Sequence, residues 1–207
     1  MAKRSSRTPP PYHHGDLKSA VLAVAEKILE RDGLQALTLR AVARAVGVSH
    51  TAPKNHFGDL MGLLSELAAV GYVRYGAALA EAVSFATGDA SDRMRAMGRA
   101  YVAFAREHPK LFLLMFHSER LDMKRPSLST AIEETRQTLR TAVISTVPAK
   151  PIELLQVAAR GTASWALVHG FAMLLLDGRL KNTMASLPGV DIDAFLEAVL
   201  DVTRVGD

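Results

Sequence analysis

The sequence predicts an all-α fold of about nine helices. Apolar residues recur at helical spacing along most of the chain, and no stretch alternates with period two for long enough to build a sheet. Capping residues, glycines and prolines interrupt the pattern at intervals that suit helices rather than strands. Nearly half of the 207 residues are apolar, enough to bury a core and to confine disorder to short segments.

Residues 1–11 end in Pro9-Pro10-Pro11 and read as a flexible basic arm. Asp16 is expected to cap a first helix in which Leu17, Ala20, Val21, Val24, Ala25, Ile28 and Leu29 share one side. Asp32-Gly33 ends it, because glycine readily takes the left-handed conformation past a helix C-terminus. Thr38 then caps a short helix from Leu39 to Val46, Gly47 breaks it, and Ser49 is expected to cap another running to about His56. Pro53 falls inside that helix, where it lacks an N–H and crowds the Ser49 carbonyl, so a tight or 3₁₀-like first turn is expected. A long helix follows from Asp59 to about Ala86, ended by Thr87-Gly88-Asp89. Further helices are expected from Ser91 to Glu107, after His108-Pro109 to Phe116, and from Ser127 to Val147, with a loop from Leu121 to Pro126. Pro148 to Pro151 reads as a stop, before a broadly apolar helix from Ile152 to Leu176 and an amphipathic one from about Ile192 to Val205.

Charge divides this chain unevenly. Residues 1–57 carry nine Lys and Arg against four Asp and Glu, a net of +5, while the remaining 150 residues come to −1. Such a footprint fits a nucleic-acid-binding module joined to a neutral one. Without cysteine, neither a disulfide framework nor a thiolate metal site is possible. The N-terminus carries no apolar stretch resembling a signal peptide, and Trp165 to Leu176 is too short to span a bilayer. A cytoplasmic, nucleoid-associated protein with no membrane contact is therefore expected.

Three helices, the last two short and joined through a glycine turn, match the helix-turn-helix plan. The same spacing also suits a plain αα-corner in a bundle. Under the DNA-binding reading, Ala52 and Phe57 face inward while Ser49, His50, Thr51, Lys54 and Asn55 face bases and phosphates. Asn55 can pair with adenine, and Thr51 can touch a thymine methyl or a phosphate. Arg40 and Arg44, four apart, share a face suited to phosphates.

The run Gly33-Leu-Gln-Ala-Leu-Thr-Leu-Arg-Ala-Val-Ala-Arg-Ala-Val-Gly-Val-Ser49, followed by Asn55-His56-Phe57, resembles the DNA-binding domain of the tetracycline-repressor family over residues 12 to about 67. Tyr12-His13-His14-Gly15-Asp16-Leu17 resembles the opening of one branch. Trp165-Ala-Leu-Val-His169-Gly170, continuing to Leu174-Leu-Leu-Asp-Gly178, resembles that branch's C-terminal domain, named for its Trp-His-Gly signature. The resemblance implies a ligand-responsive repressor that binds a pseudo-palindromic, double-stranded operator as a homodimer. It also implies a helix-turn-helix domain over 12–58 and a helical effector-binding and dimerisation domain over 59–207. Thr38, Arg40, Arg44, Ser49, His50, Thr51, Lys54, Asn55 and His56 then form the DNA-facing set. Two positions depart from the family pattern: Lys54 stands where a tyrosine is usual, and Leu60 where a lysine is usual. Lys54 still reaches a phosphate, whereas Leu60 cannot.

In this family the last two helices form a four-helix dimer interface, which here implies Leu155, Thr162, Ile192, Phe195, Leu196 and Val199; an intramolecular core is the plainer reading. Aromatic and sulfur side chains gather in the middle helices, among them Met94, Met97, Tyr101, Phe104, Phe112, Met115, Phe116, Trp165 and Met173. Such a stripe is usually core. With His169 it can also line a pocket for a small apolar or aromatic effector. A lone histidine on an apolar helix is more often a packed structural residue than a ligand contact.

No cofactor signature occurs: there is no phosphate-binding glycine loop, nucleophile elbow or His-Glu-x-x-His. His13-His14 lacks carboxylate partners for a metal, and His108 and His117 with Glu107 and Glu119 read as solvated helix ends. A helical enzyme using His169 with Tyr101 would leave the N-terminal charge unexplained, so no catalytic role is assigned. A ligand-independent DNA binder would not need the large neutral domain.

Overall fold

The computed structural model describes residues 14–143 and 151–202. These form ten α-helices with no strand among them. In chain order they are α1 (His14–Asp32), α2 (Leu39–Val46), α3 (Ala52–Phe57), α4 (Leu60–Phe85), α5 (Ala90–Glu107), α6 (Pro109–Met115), α7 (Pro126–Val143), α8 (Pro151–Leu176), α9 (Lys181–Ala185) and α10 (Ile192–Val202). Single 3₁₀ turns occur at Leu34–Ala36 and Ser118–Arg120. The expected basic arm 1–11, His13, the ends of the helices expected to reach Val147 and Val205, and most of the proline stop lie outside the described residues.

Local chemistry sets most boundaries. Thr38 Oγ1 accepts from the Ala41 N–H at 3.1 Å, and Gly47 closes α2 in the left-handed conformation, φ 81°. Asp59 Oδ1 accepts from the Gly62 N–H at 2.8 Å and opens α4. Asp89 and Asp92 form a reciprocal capping box at the start of α5.

Two expected caps are corrected. Asp16 lies inside α1, two residues after His14. Thr51, not Ser49, occupies the N-cap position of α3. Pro53 explains that shift. With α3 starting at Ala52, Pro53 sits in the first turn, where a missing N–H costs nothing. The Ser49 carbonyl instead accepts from the Ala52 N–H at 3.1 Å, the tight turn expected there. The short α9 was not expected; no strong apolar periodicity marks its five residues.

Helix α4 is the hub. It packs against α7, α5, α6, α1 and α3, and Gly62 through Ala69 are all buried. Gly71 lets α4 approach α6 closely, since a Cβ there would stand 2.7 Å from Met115 Sδ. Thr135 Oγ1 donates to the Tyr72 carbonyl at 3.1 Å, tying α7 to α4. One hydrophobic cluster runs without a break from Val21, Val42 and Phe57 through Leu67, Phe112 and Leu128 to Phe171 and Leu200.

Helix α8, apolar along most of its length, buries side chains only in its second half, where Val168, Phe171 and Ala172 are covered. Its first half is bare: Leu154 and Leu155 are exposed, the latter by 64%. The reason is packing: among the described residues α5 is the main neighbour of α8, which leaves the opposite face largely uncovered by them.

Candidate nucleic-acid interface and aromatic cluster

The α2–α3 pair forms one exposed polar surface. Val42 and Ala43 of α2, with Pro53 and Phe57 of α3, are buried against α1 and α4. Thr38, Arg40, Arg44, Ser49, His50, Thr51, Lys54 and Asn55 are exposed, and His56 is half-buried beside Phe57. Ala52 is only partly buried, so Pro53 takes over much of the inward role expected of it. Ser49 Oγ and Thr51 Oγ1 are hydrogen-bonded at 3.0 Å at the start of α3. Among the described residues Arg40, Arg44 and Lys54 form no ion pair, whereas Arg74 and Arg125 are tied to Glu26 and Glu66. Three cations beside Thr51 and Asn55 suit a polyanion that also offers base edges.

Behind this surface lies a polar junction that reading the sequence missed. Glu66, buried in α4, accepts from Arg125 Nε at 2.7 Å, Ser127 Oγ at 3.0 Å and Lys18 Nζ at 2.9 Å. Burial works to raise the Glu66 carboxyl, but hydrogen bonds from Arg125, Lys18 and Ser127 outweigh it and hold it below the usual range. Arg125 Nη1 also points to the Phe57 carbonyl at the end of α3, 3.5 Å away. Glu30 of α1 makes a second link: its carboxylate accepts from the backbone N–H groups of Leu111 at 2.9 Å and Lys110 at 3.2 Å, capping α6. The available signal was an acid, Glu66, standing inside the apolar run Leu63-Leu64-Ser65-Glu66-Leu67-Ala68.

The expected pocket residues do come together. Met97, Tyr101, Phe104, Phe112 and Met115 are buried, while Phe116, His169 and Met173 are half-buried. Tyr101 stands edge-on to Phe112 at 5.5 Å and to Tyr75 at 5.4 Å, and Phe116 meets His169 at 4.8 Å. Trp165 is placed at the margin, 52% exposed, with its ring 5.9 Å from that of His169. Tyr101 Oη and His169 Nδ1 are hydrogen-bonded at 2.8 Å. Burial raises the Tyr101 hydroxyl and lowers the His169 imidazole, so both are neutral near pH 7. Two open clefts lie beside this region's helices, one lined by Arg99, Ala103, Asp193 and Glu197 between α5 and α10, another by Ala82, Phe85 and Ala100 between α4 and α5.

Of the six expected interface residues, Leu155 and Thr162 are exposed and Ile192, Phe195 and Val199 are half-buried. Leu196 is buried within its own chain, and Phe195 packs on Phe171 with ring centres 5.9 Å apart. The acids of α10 do not simply face water. Glu197 pairs with Arg95 at 2.9 Å and Arg99 at 3.1 Å, Asp201 with Arg95, and Asp193 with Arg106, fastening α10 to α5. Among the described residues no three His, Asp or Glu gather as a metal site, and no helix is long and apolar enough to cross a membrane.

Residues 94–203 match the family described as tetracyclin repressor-like, C-terminal domain. The chain belongs to the tetracycline-repressor family. As a member it is a DNA-binding transcriptional regulator. A relative in Bacillus subtilis (strain 168), the uncharacterized HTH-type transcriptional regulator YobS, is 25% identical over 169 residues, 78% of this chain and 80% of its own. A protein of unknown function from Rhodococcus sp. RHA1 is 33% identical in its solved structure, covering 94% of this chain and 97% of its own with a TM-score of 0.72. The TetR family transcriptional regulator PfmR from Thermus thermophilus is 19% identical, covers 88% of this chain and 96% of its own, and has a TM-score of 0.59; at that identity it speaks for the fold alone.

Proposed function

We propose that this tetracycline-repressor family protein is a ligand-responsive repressor that grips a pseudo-palindromic operator as a homodimer. In this reading residues 12–58 form the DNA-binding domain and residues 59–207 the effector and dimerisation domain, within the Trp-His-Gly branch. The observation that carries it is the exposed set Arg40, Arg44 and Lys54, without ion pairs among the described residues, around the Thr51 and Asn55 side chains. Phosphates bind the cations; base edges bind Thr51 or Asn55. The bare first half of α8, with Leu155 and Thr162 exposed, supports a second copy as its cover. The effector is a small apolar or aromatic molecule taken among Tyr101, Phe104, Phe116 and Trp165. It releases DNA only in so far as it binds the DNA-incompetent state better. Such a protein works where the chromosome is, in the cytoplasm.

Binding to DNA from upstream of its own gene, measured at two salt concentrations, tests this reading. Specific binding with a steep salt slope is expected. Equal affinity for the upstream fragment and for unrelated DNA of the same length would overturn it.

A further inference from the structure

Three features stand apart from the DNA-facing surface: the bare face of α8, the Glu66 junction, and the polar end of the aromatic cluster. The last carries a chemical prediction. Tyr101 is buried, and its hydroxyl meets His169 Nδ1 at 2.8 Å. The Tyr101 hydrogen therefore has one acceptor among the described residues, His169 Nδ1. If Nδ1 carried the proton instead, the phenolic hydrogen would be buried without a partner, which costs about 1–3 kcal/mol. A neutral imidazole whose Nδ1 accepts must carry its hydrogen on Nε2.

Nε2 has no partner among the described residues, yet no buried side-chain nitrogen or oxygen is left unpaired. It follows that Nε2–H reaches the accessible surface. Trp165, one turn earlier on α8, lies on the same side of the helix with its indole half-bare, and Phe116 stands edge-on to the imidazole at 4.8 Å. A flat aromatic wall thus sits beside a single, oriented, uncharged donor.

We propose that the effector is an uncharged planar aromatic molecule bearing a carbonyl-type acceptor, which lies against Trp165 and takes a hydrogen bond from His169 Nε2–H. This deepens the effector site of the proposed function and rests on that reading. With the Tyr101 hydroxyl donating to His169 Nδ1, the imidazole presents Nε2–H as a donor, so the recognising group on the ligand must accept. A carboxylate or ammonium would lose its hydration in an aromatic site with no counter-charge at hand. An apolar ligand without an acceptor would cover Nε2–H and leave it unpaired.

The experiment uses the full-length protein and two probes of one shape, acetophenone and ethylbenzene, which differ in the carbonyl oxygen. Trp165 is the chain's one tryptophan, so a single indole N–H resonance reports binding. Acetophenone is expected to shift that resonance saturably and to bind about tenfold more tightly than ethylbenzene. His169→Phe is expected to bring the two affinities together. Nitrogen NMR of wild-type His169 should show the Nε2-protonated form, a measurement that needs no variant to fold. Equal or tighter binding of ethylbenzene, no saturable shift with either probe, or an Nδ1-protonated imidazole would each overturn the proposal. Operator binding without any probe is read separately. Its loss would sink the repressor reading, whereas this inference stands or falls on the acetophenone-to-ethylbenzene ratio and the tautomer.

Discussion

Arg40 and Asn55 illustrate two kinds of contact that one exposed surface can make. Arg40 projects from α2 with no ion pair among the described residues, and Asn55 lies on the outer side of α3. Arg40→Ala should weaken every DNA sequence alike and lower the salt slope by about one. Asn55→Ala should relax preference at one operator position and cost about 1–3 kcal/mol there. Binding of both variants to a panel of single-base operator changes checks this; identical behaviour would refute the division of roles. Behind them, Glu66 is held below its usual carboxylate range because donors from Arg125, Lys18 and Ser127 outweigh burial. A carboxylate depressed on folding contributes stability that is complete above its unfolded pKa of about 4.3 and fades as pH falls through the lower folded value. Glu66→Gln should therefore destabilise by about 1–3 kcal/mol at neutral pH. In denaturant melts that deficit should shrink on acidification below about pH 4. The outward residues could be named from the sequence because turn chemistry at Thr38 and Gly47 fixes which side of a short helix faces out. The partners of Glu66 could not, because Lys18, Arg125 and Ser127 lie far from it along the chain and only the fold gathers them.

Helix boundaries were legible wherever a short-range rule acted alone, as at Asp59, where a capping carboxylate meets the Gly62 N–H. They were missed where two rules competed. Ser49 is a good cap by type, but Pro53 tolerates only the first turn, so the helix starts at Ala52. Helix α6 shows a third situation, since its cap comes from another element. His108 offers no side-chain cap, and Glu30 on α1 supplies the acceptor for the Lys110 and Leu111 N–H groups. That bond ties α1, which also packs on α2 and α3, to α6 beside the aromatic cluster. Glu30→Ala should cost about 0.5–2 kcal/mol as a lost cap. It should also weaken the response of operator binding to effector more than operator binding itself. A binding titration with and without effector checks this; an unchanged effector response would separate α6 from signalling.

For the whole molecule, periodicity named the helices but not the faces left bare by one chain. The 152–176 segment is apolar nearly all round, yet among its described residues only Val168, Phe171 and Ala172 in the second half are buried. Leu196 was an expected interface residue by its stripe, yet it is buried at home against α5. A substitution there mixes folding with assembly. Leu155, 64% exposed, separates them. Leu155→Asp should fold with an unchanged circular dichroism spectrum and sediment as a monomer, whereas a dimer of undiminished affinity would remove α8 from the interface. The unbroken core from Val21 to Leu200 has a consequence of a different kind. Helices α2 and α3 and the aromatic cluster contribute to one buried cluster, so loss of packing in one part is expected to disturb the other. A calorimetric scan should then show one cooperative transition instead of two. Any molecule that prefers the native chain should raise that one melting temperature wherever it docks. A small-molecule library can thus be screened by melting alone, before a single base of the operator is known.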